Sequence, residues 1–251
     1  MSIEWRDEGI VLSARRYGET GFIVSLMTAE HGRHAGLVPG RRKSITLEPG
    51  TVVSARWRAR LADQLGTLDI EGEGGLIGDL IDQPLPLAAL ASACALVDQC
   101  VPERNPMGPL HAGLKALIQA LPGEHWAAAY VQWEVGLLSA LGFGLSLEEC
   151  AAGGNDQLAF VSPRSGRAVS LSAGTPYREK LLPLPGFLVG RGGDEPAAVL
   201  DGLAMTGYFL ERYLLGQVHR PMPAARLRYL ESYRKVFGQN HRDSLKKSAD
   251  A

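Results

Sequence analysis

The sequence predicts an α+β chain: a small β-barrel at the amino terminus, then a mainly helical region with a short irregular β insertion. Three observations predict it. Five short runs of β type, residues 9–16, 21–28, 33–38, 51–61 and 66–71, are separated by breaks that carry Gly18, Gly32, Gly40 and Pro49-Gly50, residues that turns select for their backbone freedom or rigidity. Past Pro84-Leu85-Pro86 the apolar residues recur at helical spacing instead. Five strands in so short a stretch would leave two open sheet edges, and closure into a barrel removes both.

The fourth run shows the logic of a strand most clearly. Its alternation places Arg56, Arg58 and Arg60 on one face and Ala55, Trp57 and Ala59 on the other, so Trp57 is expected inside the barrel and the arginines outside. The helical part divides into residues 87–101, opened by prolines; 107–121, with Leu110, Leu114, Leu117, Ile118 and Leu121 on one stripe; and 124–141, stopped by Gly142-Phe143-Gly144. Residues 145–185 are irregular, with weak β stretches at 158–161 and 167–171, and read as an inserted knob. Helices return at 196–219 and 224–237. The expected organisation is a barrel domain over 1–80, a helical domain over 81–238 with its knob at about 145–185, and a flexible tail over 239–251.

The chain has 251 residues, and its 26 Lys and Arg nearly balance 27 Asp and Glu, for a net charge of −1. That balance conceals a local excess. From Arg33 to Arg60 seven cationic residues face the single Glu48: Arg33, Arg41, Arg42, Lys43, Arg56, Arg58 and Arg60. Such a field on a small β module suits a polyanionic backbone and would read phosphate rather than base. Single strands are also held by stacking, for which Tyr17 and Phe22, flanking a turn, are the candidates. Arg15 and Arg16 are adjacent on a strand, so at most one shares the binding face. In the helical part Lys115, Arg212, Arg220, Arg226 and Arg228 could meet an acidic peptide whose apolar end enters a groove, but each also reads as an ordinary helix-surface charge, and no residue is assigned to a protein partner.

Other chemistries find little support. Cys94, Cys100 and Cys150 form no Cys-x-x-Cys pair, which suits a reducing compartment and argues against a disulfide framework. The six histidines lack His-x-x-x-His spacing, and neither a phosphate loop, a dinucleotide fingerprint nor a Gly-x-Ser-x-Gly elbow is present. A non-enzyme without cofactor is expected. The opening residues do not resemble a signal peptide and no apolar run spans a bilayer, so the expected location is cytoplasmic, with no membrane partner. From the residues alone, a DNA-binding mediator, an RNA-binding adaptor on the same barrel and a structural assembly subunit all remain open.

The order of motifs resembles the RecO family of bacterial DNA repair and recombination proteins. Glu8-Gly9-Ile10-Val11-Leu12-Ser13, Tyr17-Gly18-Glu19 and residues 26–33 resemble the first hairpin of that family's barrel. Pro39-Gly40-Arg41-Arg42-Lys43, Leu47-Glu48-Pro49-Gly50 and Leu65-Gly66-Thr67-Leu68 resemble the remainder of that barrel. Residues 141–145, Cys150, residues 161–168 and Phe209-Leu210-Glu211-Arg212 resemble its helical domain. The resemblance implies an OB-fold barrel that binds single- and double-stranded DNA, anneals complementary strands and helps load recombinase onto strands coated by single-strand-binding protein, working at the nucleoid during repair. Its implied partners are DNA, the acidic C-terminal tail of the single-strand-binding protein, and RecR. Many members carry a four-cysteine zinc knob; here only Cys150 lies in the corresponding place, so the tetrahedral set is incomplete and no metal is expected.

Overall fold

A computed structural model describes residues 3–40, 47–61, 63–72, 77–154, 156–217 and 219–249, excluding the side chains of residues 77, 79 and 239–249. Five strands, β1 (Ile3–Tyr17), β2 (Gly21–Thr28), β3 (Gly32–Val38), β4 (Val52–Ala59) and β5 (Thr67–Glu71), close into a barrel in the order β1-β2-β3-β5-β4. Closure depends on the length of β1. Its first half pairs antiparallel with β4, from Ile3 opposite Ala59 to Ile10 opposite Val52, and its second half pairs with β2, with an irregularity between Val11 and Ser13. One strand thus serves two neighbours, and the β-bulge bends it from one to the other. The parallel contact of Leu37 with Thr67 seals the remaining seam. This is the five-stranded OB-type barrel that the sequence predicts.

The interior is filled by Val11, Val24, Leu26, Val38, Val53, Ala55, Trp57, Leu68 and Ile70. Trp57 is the largest of them and is 1% exposed. Its indole N–H donates to the carbonyls of Ala35 (3.2 Å) and Leu65 (3.0 Å), so the polar atom it buries is satisfied. Space for the ring comes from two glycines: a Cβ at Gly36 would lie 3.2 Å from the indole and 2.6 Å from Leu68, and one at Gly66, where φ is +67°, would lie 2.5 Å from the indole. Trp57 stacks on Trp5 and Trp5 on His31, while the edge of the buried His34 ring meets both tryptophans. Asp7 accepts from the backbone N–H of Glu30 and lies 3.0 Å from the His31 ring.

Helix α1 (Ile77–Leu80) is a single turn. Helices α2 (Pro84–Cys100) and α3 (Gly108–Ala120) come next, and they fold with the barrel as one compact unit, Met1–Gly123. The expected boundary near residue 80 therefore marks the change from strand to helix, while contacts divide the chain at residues 123 and 124. The reason is a polar seam. Asp98 on α2 accepts from the hydroxyls of Ser13 (2.9 Å) and Ser25 (2.6 Å), and Lys115 on α3 donates to both oxygens of Glu8.

The second unit, Glu124–Ala251, contains α4 (Trp126–Ala140), the small sheet β7-β6-β8 formed by β6 (Leu158–Val161), β7 (Ala168–Ser170) and β8 (Leu182–Pro183), the short α5 (Leu171–Gly174), α6 (Pro196–Phe209) and α7 (Ala224–Ala249). The chain continues from α6 through one π-helical segment, Leu210–Leu215. At the centre is Glu134, fully buried, which accepts from Tyr130 (2.9 Å), from Thr206, and from Arg226 Nε and Nη2 at 2.7 and 2.9 Å. Arg226, 3% exposed, also donates to the carbonyl of Leu203. Burial disfavours its charge, but Glu134 outweighs that and holds the guanidinium pKa above its usual value. Arg226 is thus no peptide-facing cation, and Lys115 is committed to Glu8; these correct two of the five helical candidates. Helix α7 also continues to Ala249, past Gly238, where a tail is expected from sequence.

The buried ion pair and the ring cluster around His34 each set a stability outcome. Replacing Arg226 by Met leaves Glu134 as a buried charge without its partner and is expected to cost about 3–5 kcal/mol in urea unfolding, whereas the double variant with Glu134→Leu recovers most of it; a small single-variant loss would contradict the central role of the pair. The pH response is acidic. Burial holds the His34 imidazole below its usual pKa of 6.5, so its contribution is complete above that value and is lost as pH falls from there toward the folded pKa. Burial would raise Asp7, but His31 and the Glu30 N–H outweigh it and lower its pKa, so its contribution fades only as pH falls below the ordinary carboxylate range. The melting temperature should therefore decline from about pH 6.5 downward, with a shallower decline in His34→Gln; a melting temperature flat down to about pH 5 would refute it.

Candidate nucleic-acid interface

Burying Trp57 fixes what β4 shows to solvent. With Ala55 and Trp57 inside, the pleat turns Arg56 and Arg58 outward. Arg58 lies opposite Glu4 on β1 and Thr67 on β5, and Arg56 opposite Arg6 and Asp69. Arg60, just beyond the strand end, is also exposed. The two halves of this face differ in charge. Toward Ser54 the neighbours are Glu8 and Glu71, lining a shallow acidic depression. Toward the other end Arg58 and Arg60 border an open groove with Tyr17, Leu37, Leu65 and Thr67, and Glu4 at its rim.

Tyr17 is 56% exposed at the end of β1, so a large aromatic face remains in water beside two guanidinium groups. That combination can stack a base and hold the phosphate next to it. Arg56 is partly neutralised, since its Nε donates to Glu4 Oε1 at 2.7 Å. Among the described residues no carboxylate ion-pairs with Arg58 or Arg60.

The other sequence candidates are placed differently. Arg33 lies on β3 with its guanidinium directed to α2 and the segment after it: Nε donates to the Val101 carbonyl at 2.7 Å, and Nη1 lies 3.4 Å from Asp98 and 3.3 Å from Glu103. It fastens the barrel to α2 and is not part of the groove. Phe22 is half-buried against the barrel core, which takes up its ring. Arg41, Arg42 and Lys43 lie outside the described residues. Arg6, exposed and cross-strand from Arg56, is a cation that sequence reasoning missed. Its signal was the alternation Glu4, Arg6, Glu8, masked by the surrounding acids. Arg15 and Arg16 are both exposed near the end of β1.

In the second unit, a small pocket is lined by Phe143, Leu145, Gly166, Phe209 and Tyr213. Tyr213 stacks against both Phe143 and Phe209, and exposed Arg212 lies over the rings of Tyr208 and Tyr213. Cys150 accepts from the N–H groups of Ser170 (3.2 Å) and Ala152 (3.4 Å). The Ser170 hydroxyl does most to bring its thiol down to about 7, against the opposing effect of burial, and these N–H groups add to the lowering. Among the described residues no group of three or more His, Cys, Asp or Glu is placed to hold a metal ion, and no helix is long and apolar enough to cross a membrane.

Comparison with known proteins gives a consistent likeness. The family descriptions Recombination protein O N terminal and Recombination protein O C terminal match residues 1–71 and 82–221. The DNA repair protein RecO of Rhodospirillum centenum is 55% identical over 240 residues, which cover 93% of this chain and 96% of that protein. That of Rhodospirillum rubrum is 50% identical over 246 residues, covering 93% and 97%, and that of Phenylobacterium zucineum is 46% identical over 239 residues, covering 91% and 97%.

Proposed function

Since the chain belongs to the recombination protein O (RecO) family, with a role in DNA repair, we propose that it is a non-catalytic mediator of homologous recombination. It binds single- and double-stranded DNA through its barrel, anneals complementary strands and assists recombinase loading onto strands coated by single-strand-binding protein. The observation that carries this reading is the groove where exposed Tyr17 adjoins Arg58 and Arg60. Nothing in such a groove has to break a bond. Cations neutralise phosphates and release condensed counterions, and this lowers the repulsion between two strands enough for pairing to proceed. Glu4 and the acidic end of the β4 face confine the attraction to one side of the barrel.

One of the proposed partners has chemical support. The acidic tail of single-strand-binding protein suits the aromatic pocket of the second unit, lined by Phe143, Phe209 and Tyr213, with exposed Arg212 over the ring of Tyr213. RecR is proposed from family membership alone. The setting of this work is the cytoplasm, at the nucleoid during repair.

Fluorescence anisotropy with single-stranded DNA and RNA over a salt series tests the reading. Replacing Arg58 and Arg60 by Ala is expected to reduce the slope of log K against log salt by about 1.4, two phosphate contacts' worth on a single strand. Tyr17→Ala is expected to cost about 1–3 kcal/mol with little change in slope. Arg33→Ala should lower stability and leave the slope alone. Preference for RNA, absence of DNA binding, or annealing no faster with the protein present would overturn it.

A further inference from the structure

One wall of the groove beside Tyr17 is held from outside the barrel as well as from within. Gln64, Leu65 and Gly66, in the connection from β4 to β5, line that groove together with Arg58 and Arg60. From within, the Leu65 carbonyl accepts from the Trp57 indole at 3.0 Å and the Gly66 carbonyl from the Leu37 N–H at 3.0 Å. From outside, the wall is tied by a residue 40 positions further along the chain, where Arg104 Nη2 donates to the Gln64 carbonyl at 2.9 Å.

Arg104 is itself fixed before it reaches across. It belongs to the segment between α2 and α3, where its backbone N–H donates to the Arg33 carbonyl at 2.8 Å, Arg33 Nε holds the Val101 carbonyl at 2.7 Å, and a Cβ on Gly32 would overlap the carbonyl of Asn105. Its φ is +60°, in the left-handed region that a non-glycine residue rarely occupies. A side chain kept at such a position is over-determined by its surroundings, and positions of this kind gather at sites that bind or switch. Glycine would sit there with less strain, but it has no guanidinium to reach Gln64.

We infer that Arg104 is a positioning residue for the groove: it holds the Gln64–Gly66 wall in the shape that nucleic acid meets, and touches no nucleic acid itself. This rests on the DNA-binding reading of the barrel and deepens it, because it makes the segment after α2 part of what sets affinity. A wall without its outer tie has to be ordered at the moment of binding, and that ordering is subtracted from the affinity. The contacts of Arg58 and Arg60 with phosphate stay as they are, so the number of counterions released does not change.

Three full-length variants, Arg104→Gly, Arg104→Ala and Arg104→Lys, test the inference with a labelled oligothymidine over a salt series, melting temperatures being measured in parallel. Gly and Ala both remove the tie and only Ala keeps the left-handed strain, so the Gly variant should melt above the Ala variant. Their affinities should nonetheless fall together, by about tenfold, with the slope of log K against log salt unchanged, and hydrogen exchange should rise in the peptide containing residues 63–66. The Lys variant, whose ammonium still donates to a carbonyl, should recover part of the affinity. Affinity that follows melting temperature across the variants would reduce Arg104 to a structural role and overturn the inference. A slope lower by about 0.7 would make Arg104 a phosphate contact, and wild-type affinity in the Gly variant would remove it from the groove; either result is equally fatal. Failure of the barrel reading looks different: wild-type protein that binds no DNA, or an unaltered slope in the Arg58 and Arg60 variant, with exchange at residues 63–66 still raised in the Gly variant. Arg104 would then order a loop that serves no nucleic acid.

Discussion

Burial of one indole governs the amino-terminal unit. Trp57 fills the barrel, and because a strand alternates its side chains between two faces, the same event that hides the ring forces Arg56 and Arg58 into water. Gly36 and Gly66 supply the space, and two backbone carbonyls supply the acceptors. A one-residue slip of β4 would bury the arginines and expose the tryptophan, so the core sets the register and the register sets the charged face. Core and groove are two sides of one strand.

The second unit is organised around an ion pair in place of a large apolar side chain. Glu134, Arg226, Thr206 and Tyr130 draw α4, α6 and α7 to one point with nearly every polar atom partnered. Such a buried pair contributes little net stability over an apolar substitute, but it penalises any arrangement in which one charge lacks the other. It therefore specifies which side of α7 faces inward, and by exclusion which side carries Arg228 and Lys235 outward. In both units, what is buried dictates what is left in water.

Local pattern made the elements legible. The ranges of β2, β3, β5, α3 and α4 lie within a residue or two of those expected from Gly breaks and apolar periodicity. β1 starts earlier than expected, because Glu4, Arg6 and Glu8 give its first half a polar look although they are simply its outer face. Long-range partners were not legible. Arg33 resembles a surface cation among other cations, yet its acceptors lie on α2 and just after it; Arg226 resembles a helix-surface charge, yet Glu134 is 92 residues away. Phe22 has the exposed look of a turn residue, but the barrel curvature brings it against the core. Sequence spacing identifies which side chains share an element's face, whereas the tertiary fold decides which of them are already paired.

The central claim is that nucleic acid lies in the groove beside Tyr17, between the end of β1 and the end of β4. Photo-crosslinking of a bromodeoxyuridine-substituted single strand to the full-length protein, with the adducts located by mass spectrometry, tests it most directly. An adduct on Tyr17 that disappears in high salt and in the Arg58 and Arg60 variant is the expected result. Adducts confined to the acidic end of the β4 face, or no adduct anywhere on the barrel while DNA is bound, would contradict it.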